Sequence, residues 1–383
     1  MNIKKKILIV APDFIYPANH GGRVDILSRI LVLIKLGHTV DLLYTSYIKA
    51  DRLDEEYLRQ QGVRSVIWSP RVKNIFSWFK LQSFQYVSRN NLSKVNLVDF
   101  YDFVILEADF VGAFLKNKII NFSKTFLRMH NDEVKYLNNQ ARLVDSVAKK
   151  IFYKIESFLV DLQRGIIYKG VNKILCISFD EYKIFSQIYP NCIFLPTHME
   201  NQYFVSKACY LKRDNIVLFV GNLVNPYNID GIKWYLKNVH TLVSQQVSSY
   251  KLIIAGSVFN SDINWLKELI DANVIFIDSP PSLSSVYRKS AVFINPMRNG
   301  AGVKIKTLEA FANAIPVVST EVGVEGIPAF PDTHFLLAQT EEDFAFSIVK
   351  LLQNRQFGFE LLSNAQKIID DTYNGSLLIK ILE

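Results

Sequence analysis

Residues 295–327 read NPMRNGAGVKIKTLEAFANAIPVVSTEVGVEGI and gather glycines, two lysines and a glutamate within a short span. The apolar run AVFINP (291–296) precedes Gly300 and Gly302, and KIKTLEAFANA (304–314) follows with helical spacing. A strand that runs through a glycine-rich turn into a helix leaves backbone N–H groups free at the positive end of the helix dipole. That arrangement suits a phosphate. Lys304 and Lys306 near the helix start oppose the dipole by roughly a few tenths of a kcal/mol, a cost that an anionic ligand offsets. An ordinary strand–helix turn with solvated lysines carries the same letters. Glu309 shares a helix face with Lys306. Its carboxylate can accept hydrogen bonds from two adjacent hydroxyls, as on a ribose, or form a surface ion pair. No G-x-G-x-x-G fingerprint and no Walker lysine motif occurs, which disfavours a dehydrogenase or an ATPase.

The elements that position these residues are legible as a repeating strand–helix order. ILIVAPDF (7–14) leads through Gly21-Gly22 to RVDILSRILVLIKLG (23–37), whose apolar positions fall at helical spacing and stop at Gly37. TVDLLYTS (39–46), SVIWSP (65–70), FVILEA (103–108), TFLRMH (125–130) and KILCIS (173–178) follow as short apolar strands. RDNIVLFVGNL (213–223) restarts the pattern, continued by KLIIAGS (251–257), VIFIDS (274–279), AVFINP and IPVVST (315–320). Near-continuous apolar strands separated by helices predict parallel sheets covered on both faces. The expected architecture is α/β, with two doubly wound Rossmann-like domains facing across a cleft. The first covers 1–198 and the second 199–358, with a tail over 359–383 that packs back on the first. A single long helical region is expected over 142–170.

A chain of 383 residues exceeds one ordinary core, in keeping with two domains. The formal charge of +8 favours anionic partners. Three cysteines without metal-ligand spacing point to a reducing cytosol, and no apolar run reaches the length of a membrane span. The stretch 71–95 interleaves Arg71, Lys73, Lys80, Arg89 and Lys94 with Phe76, Trp78, Phe79, Phe84 and Tyr86. Basic and aromatic residues together suit an anionic membrane surface, which Lys149, Lys150, Lys154 and Lys169 would extend. A partly buried helix with a solvated basic face is the alternative. No nucleic-acid-binding module is visible.

The segment GAGVKIKTLEAFANAIPVVSTEVGVEGI (300–327) resembles the signature of glycosyltransferase family 4 (group 1), enzymes of the GT-B fold that move a sugar from a nucleotide-sugar donor. Three further segments resemble the same family in the same order: PDFIYPANHGGRVDILSRILVLIKLGHTVDLL (12–43), LRMHND (127–132) and VLFVGNLVNPYNIDGIKWYL (217–236). The resemblance implies an acceptor-side first domain and a donor-side second one. It implies that Lys304 and Lys306 neutralise the diphosphate leaving group and that His130 touches the transferred sugar; a structural histidine is the alternative. It places Gly21, Gly22, Gly300, Gly302, Val303, Thr307, Glu309 and Thr320 at the donor, with Ser319 and Gly323 shaping the loop below the nucleotide. Arg23, Trp78, Phe79 and Lys80 fall on the acceptor or membrane side.

The implied activity is retaining transfer from a UDP- or GDP-sugar to a glycan or polyprenyl-linked acceptor in bacterial surface polysaccharide assembly. It needs no metal and no permanently bound cofactor, and takes place in the cytoplasm or on the inner face of the membrane. A nucleotide-sugar epimerase and a catalytically silent scaffold subunit are the competing readings. Two departures stand out. Ala301 occupies the position eight before Glu309, where fuller patterns carry a first glutamate, and Ala314 replaces the glycine usual before the Pro-Val-Val strand. The second predicts a different local turn.

Overall fold

The apolar runs of the sequence become two parallel sheets. The computed structural model describes residues 4–18, 21–73, 78, 81–144, 146–258, 263–280 and 282–382. The chain divides into one unit of Met1–His198 with Leu377–Glu383 and another of Met199–Ser376.

In the first unit the strands are β1 (Lys6–Ala11), β2 (Thr39–Ser46), β3 (Ser65–Pro70), β4 (Phe100–Glu107), β5 (Asn121–Met129), β6 (Lys173–Cys176) and β7 (Cys192–Phe194). Their order is β3-β2-β1-β4-β5-β6-β7, all parallel. Ile7, Leu8, Ile9 and Val10 are wholly buried although they alternate between faces. Ile7 and Ile9 join one apolar layer and Leu8 and Val10 the other. A strand covered on both sides needs a continuous apolar run, and that is what the sequence supplies.

The second unit holds β8 (Ile216–Val220), β9 (Lys251–Gly256), β10 (Val274–Asp278), β11 (Val292–Asn295), β12 (Val317–Ser319) and β13 (Leu336–Leu337). Their order is β10-β9-β8-β11-β12-β13, again parallel. Both sheets are doubly wound, and each reverses its order once, at β1/β4 and at β8/β11. Ligands of such sheets bind outside the carboxyl ends of the strands at that reversal.

Several boundaries differ from the sequence expectation, each for a local reason. The helix expected from residue 23 spans Gly21–Lys35, so the Gly-Gly pair forms its first turn; Gly37, at φ +87°, ends it. The expected helix over 142–170 is two elements, Glu133–Leu143 and Val147–Lys169. Asp132 caps the first through the N–H groups of Val134 and Lys135, and Ser146 caps the second through that of Lys149. Two caps this close together start two helices. The tail also divides. The Arg355–Thr372 helix packs Ala365, Ile368 and Ile369 into the second unit. Beyond Gly375 (φ +80°), the Ser376–Leu382 helix places Leu378, Ile381 and Leu382 in a core layer of the first unit.

The expectation of an altered turn at Ala314 is overturned. Ala314 adopts φ +55°, the left-handed conformation that a glycine would take. The N–H of Ala314 donates to the Phe311 carbonyl and that of Ile315 to the Ala310 carbonyl, the paired bonds of a Schellman helix end. Arg213 Nη1 donates to the Ala314 carbonyl at 2.9 Å, and the methyl is buried with Tyr210 and Leu362. Packing and hydrogen bonds therefore hold an alanine where intrinsic preference disfavours it by about 1–2 kcal/mol.

Candidate active site

In the second unit the predicted phosphate turn lies at the β8/β11 reversal. Gly302 takes φ +75°, which admits no side chain without strain, and the Ile305–Ala312 helix begins three residues later. Gly323 is required for a different reason. A Cβ there would stand 2.1 Å from Ser319 Oγ and 2.7 Å from the Asn295 carbonyl oxygen. This close approach lets the Gly323 carbonyl accept from Asn295 Nδ2 at 2.9 Å and from Thr307 Oγ1 at 2.7 Å. Thr320 Oγ1 donates to the Met297 carbonyl and accepts from the Gly323 N–H at 3.0 Å. Thr307, Ser319 and Thr320 are thus buried struts that fix the loops after β11 and β12. Val303 packs against the apolar layer beneath the helix.

The charged groups stand on this frame. Lys304 is buried, with its ammonium on the Gly302 carbonyl and 3.5 Å from Glu325 Oε2. Lys306 donates to Asn228 Oδ1 at 2.8 Å and lies 4.7 Å from the centroid of the Phe219 ring. Among the described residues, no carboxylate pairs with Lys306. Burial, helped by the neighbouring charge of Lys304, pushes its ammonium down to about 7. The ion pair weighed as the alternative role of Glu309 does not form with Lys306; Glu309 Oε2 accepts from Tyr287 Oη at 3.3 Å. Burial raises the Glu309 carboxyl, while the Tyr287 hydrogen bond and the charge of Lys306 work against the rise. A half-desolvated cation on a neutral amide near a helix start is a position whose charge an anion would compensate.

The first unit carries a cluster that the sequence reading missed except for His130. Glu107 and Arg128 are register partners at the ends of β4 and β5, and His130 follows two residues later on the same side. Asp25 and Arg29, four apart, present one face of the Gly21–Lys35 helix to them. Arg128 holds Asp25 through Nε at 2.9 Å and Nη2 at 2.8 Å. Arg29 Nη2 reaches both Glu107 oxygens, at 2.7 and 2.6 Å, and its Nη1 donates to Asp25 at 3.0 Å. His130 Nε2 lies 3.1 Å from Glu107 Oε2, and its Nδ1 lies 3.7 Å from Asp25 Oδ2.

Burial would raise both carboxyls. For Asp25 the charges of Arg128 and Arg29 outweigh it, and for Glu107 the charge of Arg29 does; both are held below the usual carboxylate range. Asp25, Glu107 and His130 offer ligand atoms within 4.8 Å of one another, as a cation site would. Every carboxylate oxygen in the set already accepts a guanidinium N–H, which assigns the cluster to charge pairing. The ring nitrogens of His130 both face carboxylates, so only its carbon edge is left for a sugar.

Residues 214–354 match the family described as Glycosyl transferases group 1. Over 379 residues, 96% of each chain, the sequence is 36% identical to an uncharacterized 44.6 kDa protein in the cps region of Klebsiella pneumoniae. The second unit belongs to the group 1 glycosyltransferases. Solved structures similar to this chain include Anabaena HepE in complex with UDP and glucose, at 14% identity and TM-score 0.64 over 98% of this chain and 99% of that one. Sucrose-phosphate synthase from Thermosynechococcus elongatus matches with TM-score 0.69 at 14% identity, covering 99% of this chain and 98% of that one. Staphylococcus aureus TarM in complex with Fondaparinux, alpha-GlcNAc-glycerol and UDP matches with TM-score 0.67 at 12% identity, covering 99% of each chain. The fold is GT-B, built from two Rossmann-like parallel-sheet units.

The residues expected on the acceptor and membrane side make contacts within the protein where they are described. Among the described residues of 71–95, Tyr86 and Arg89 are buried and Arg71 donates to Gln85 and Ser88, so these three do not contribute to an open basic aromatic face. Trp78 gives its indole N–H to Glu156 at 2.6 Å and packs on Phe152. Phe76, Phe79 and Lys80 lie outside the described residues. Arg23 Nη2 donates to Asp13 at 2.8 Å and Nη1 to the Pro17 carbonyl at 3.2 Å. Charged letters inside apolar runs, Glu107 in FVILEA and Arg128 in TFLRMH, were the signal that could have found the buried network.

Removing one member of a buried ion network leaves a stranded charge. Arg128→Met is expected to destabilise the chain by ~3–5 kcal/mol, read from urea unfolding. Combining it with Asp25→Asn is expected to recover part of the loss. A loss below about 1 kcal/mol, the range of an exposed pair, would contradict the role given to the network.

Proposed function

We propose that this chain transfers a glycosyl group from a UDP- or GDP-sugar to a glycan or polyprenyl-linked glycan acceptor in surface polysaccharide assembly at the cytoplasmic side of the membrane. The observation that carries the reading is Lys306, half-buried on the Asn228 amide at the β8/β11 reversal, beside the Gly300–Gly302 turn. A diphosphate would supply the missing counter-charge, and the same ammonium would stabilise the charge that develops as the diphosphate leaves. Lys304 assists from the preceding turn. Glu309, three residues on, is placed to accept from the ribose hydroxyls. UDP bound to HepE and to TarM supports this ligand class, and the cps-region relative supports the polysaccharide setting.

Retention of configuration rests on the family resemblance. Ala301 supplies no carboxylate near the sugar, so the driving force assigned here is electrostatic. Gly21 and Gly22, in the first turn of their helix, offer backbone N–H groups to donor or acceptor oxygens.

The membrane part of the reading moves to another element. The Val147–Lys169 helix exposes Val147 (71%), Ile151 (53%), Phe158 (59%), Leu162 (46%) and Ile166 (76%) along one stripe, opposite the buried Glu156, Val160, Gln163 and Ile167. Exposed Lys149, Lys150, Lys154 and Lys169 lie on the same helix. An apolar stripe among lysines fits an anionic lipid surface. A second copy of this helix would bring lysines against lysines. No helix among the described residues is long and apolar enough to cross a membrane.

Thermal unfolding with a panel of nucleoside diphosphates and their sugars tests the donor site. UDP or GDP is expected to raise the melting temperature, and Glu309→Ala to weaken that binding about tenfold or more, the weight of a hydrogen bond to a charged group. No response to any nucleotide would favour a scaffold, and sugar interconversion without acceptor would favour an epimerase. In flotation, the chain is expected to follow phosphatidylglycerol vesicles but not phosphatidylcholine ones, and Ile151→Glu with Ile166→Glu to abolish binding. Equal flotation with both lipids, or a dimer that this double variant dissolves, would overturn the lipid assignment.

A further inference from the structure

The first unit holds a second pair of cations, Arg89 buried and Arg71 part-buried, that the charge network does not use. Arg89 is 4% exposed and its guanidinium spans the carboxyl ends of two strands. Its Nε and Nη2 donate to the Pro12 carbonyl, just after β1, at 3.2 and 2.9 Å, and Nε also reaches Thr45 Oγ1 on β2 at 3.2 Å. Nη1 donates to the carbonyl and the side-chain Oε1 of Gln85, both at 2.8 Å. Every partner is a neutral oxygen. Arg71, the residue after β3, shares Gln85 Oε1 through Nη2 at 3.1 Å and takes Ser88 Oγ at 3.1 Å. Its guanidinium carbon lies 4.4 Å from the centroid of the half-exposed Tyr47 ring. Among the described residues neither arginine pairs with a carboxylate, and Arg71 Nη1 has no hydrogen-bond acceptor.

Two guanidinium groups joined through one amide oxygen, one of them fully desolvated, leave positive charge without compensation. Burial and the charge of Arg71 push the Arg89 guanidinium down to about 9. The acidic groups that influence it do not cancel that charge. Asp13 gives its carboxylate to Arg23 at 2.8 Å, and burial pushes the Glu133 carboxyl up to about 8, which leaves it mostly protonated at neutral pH.

We propose that Arg71 and Arg89, with Tyr47 as a wall, form an oxyanion pocket at the carboxyl ends of β1, β2 and β3 that takes a carboxylate or phosphate group of the acceptor. Arg89 supplies charge from below, while Arg71 supplies free N–H groups at the rim. Adjacent strands lie about 4.8 Å apart, so in the order β3-β2-β1-β4-β5 the pocket, centred on β2, stands two strand spacings from the end of β4 with Glu107 and three from the end of β5 with His130. That separation, roughly 10–14 Å, suits an acidic group on the acceptor more than one sugar ring from the reacting hydroxyl. Calling the ligand an acceptor rests on the glycosyltransferase reading; its negative charge does not. An acid-bearing sugar and a phosphate-bearing lipid carrier share this chemistry, and the test separates them.

The full chain is unfolded thermally at constant ionic strength while chloride is replaced by D-glucuronate or by glycerol phosphate, with glucose as the neutral control. A saturable rise in melting temperature is expected with at least one anion and none with glucose, the response of a ligand that binds only the folded state. Arg71→Gln is expected to shift the half-saturating concentration about tenfold or more, and Arg71→Lys to recover part of it. A response to glucuronate assigns the pocket to a sugar acid, and a response to glycerol phosphate alone assigns it to a phosphate carrier. No response to either anion, or one unchanged in Arg71→Gln, overturns the proposal. UDP is added to the same samples as a separate readout: a UDP response that persists while the anion response is absent defeats the pocket alone. Loss of the UDP response with the anion response intact defeats the donor reading alone.

Discussion

Positive charge taken out of water without a carboxylate to meet it is the constraint on which the function of this chain turns. Lys306 is the clearest instance. Its ammonium rests on the neutral amide of Asn228 and over the face of Phe219, and burial makes the charged form costly there. A parallel doubly wound sheet makes such a position available, because its strand ends and helix starts converge where the strand order reverses. Close contacts keep it in place. Gly323 lets the loop after β12 lie against Ser319 and Asn295, and Thr307 and Thr320 tie that loop to the one after β11. A nucleoside diphosphate would find its counter-charge already oriented and would not have to reorganise the site.

The first unit treats buried charge in two ways at one sheet edge. Asp25, Arg29, Glu107 and Arg128 cancel one another, two acids against two bases, with nearly every polar atom engaged. That cluster ties the Gly21–Lys35 helix to the ends of β4 and β5. It also draws both nitrogens of His130 inward. Arg71 and Arg89, along the same edge, are left on neutral oxygens. The contrast is between charge that holds the scaffold and charge that is available to a ligand.

Much of the fold was readable from the strands, because a strand covered on both faces must be apolar throughout. The lysines at the start of the Ile305–Ala312 helix stood out in the sequence because few structural needs call for two cations at a helix start. Asp25 and Arg29 escaped notice because a charged residue on an amphipathic helix ordinarily marks its wet face, and only the partners on β4 and β5 reverse that. The segment 71–95 misled in the opposite direction. Tyr86 and Arg89 read as surface residues, yet Arg89 finds the Pro12 carbonyl just after β1 and the Thr45 hydroxyl on β2, both far away in sequence. Ala314 shows tertiary contacts overriding local preference, since its left-handed backbone is held by Arg213 and by the paired helix-end bonds.

The central claim is that Lys306 is a poorly compensated ammonium waiting for a diphosphate, and its protonation is the most direct measure of that. Heteronuclear NMR of the lysine side chains, titrated against pH, reads it in the intact chain. The account predicts an ammonium that titrates near 7 in the free protein and moves upward by at least about one pH unit when UDP or GDP binds, a change worth ~1.4 kcal/mol. A Lys306 that titrates in the ordinary lysine range without ligand, or that does not respond to either nucleotide, would contradict it.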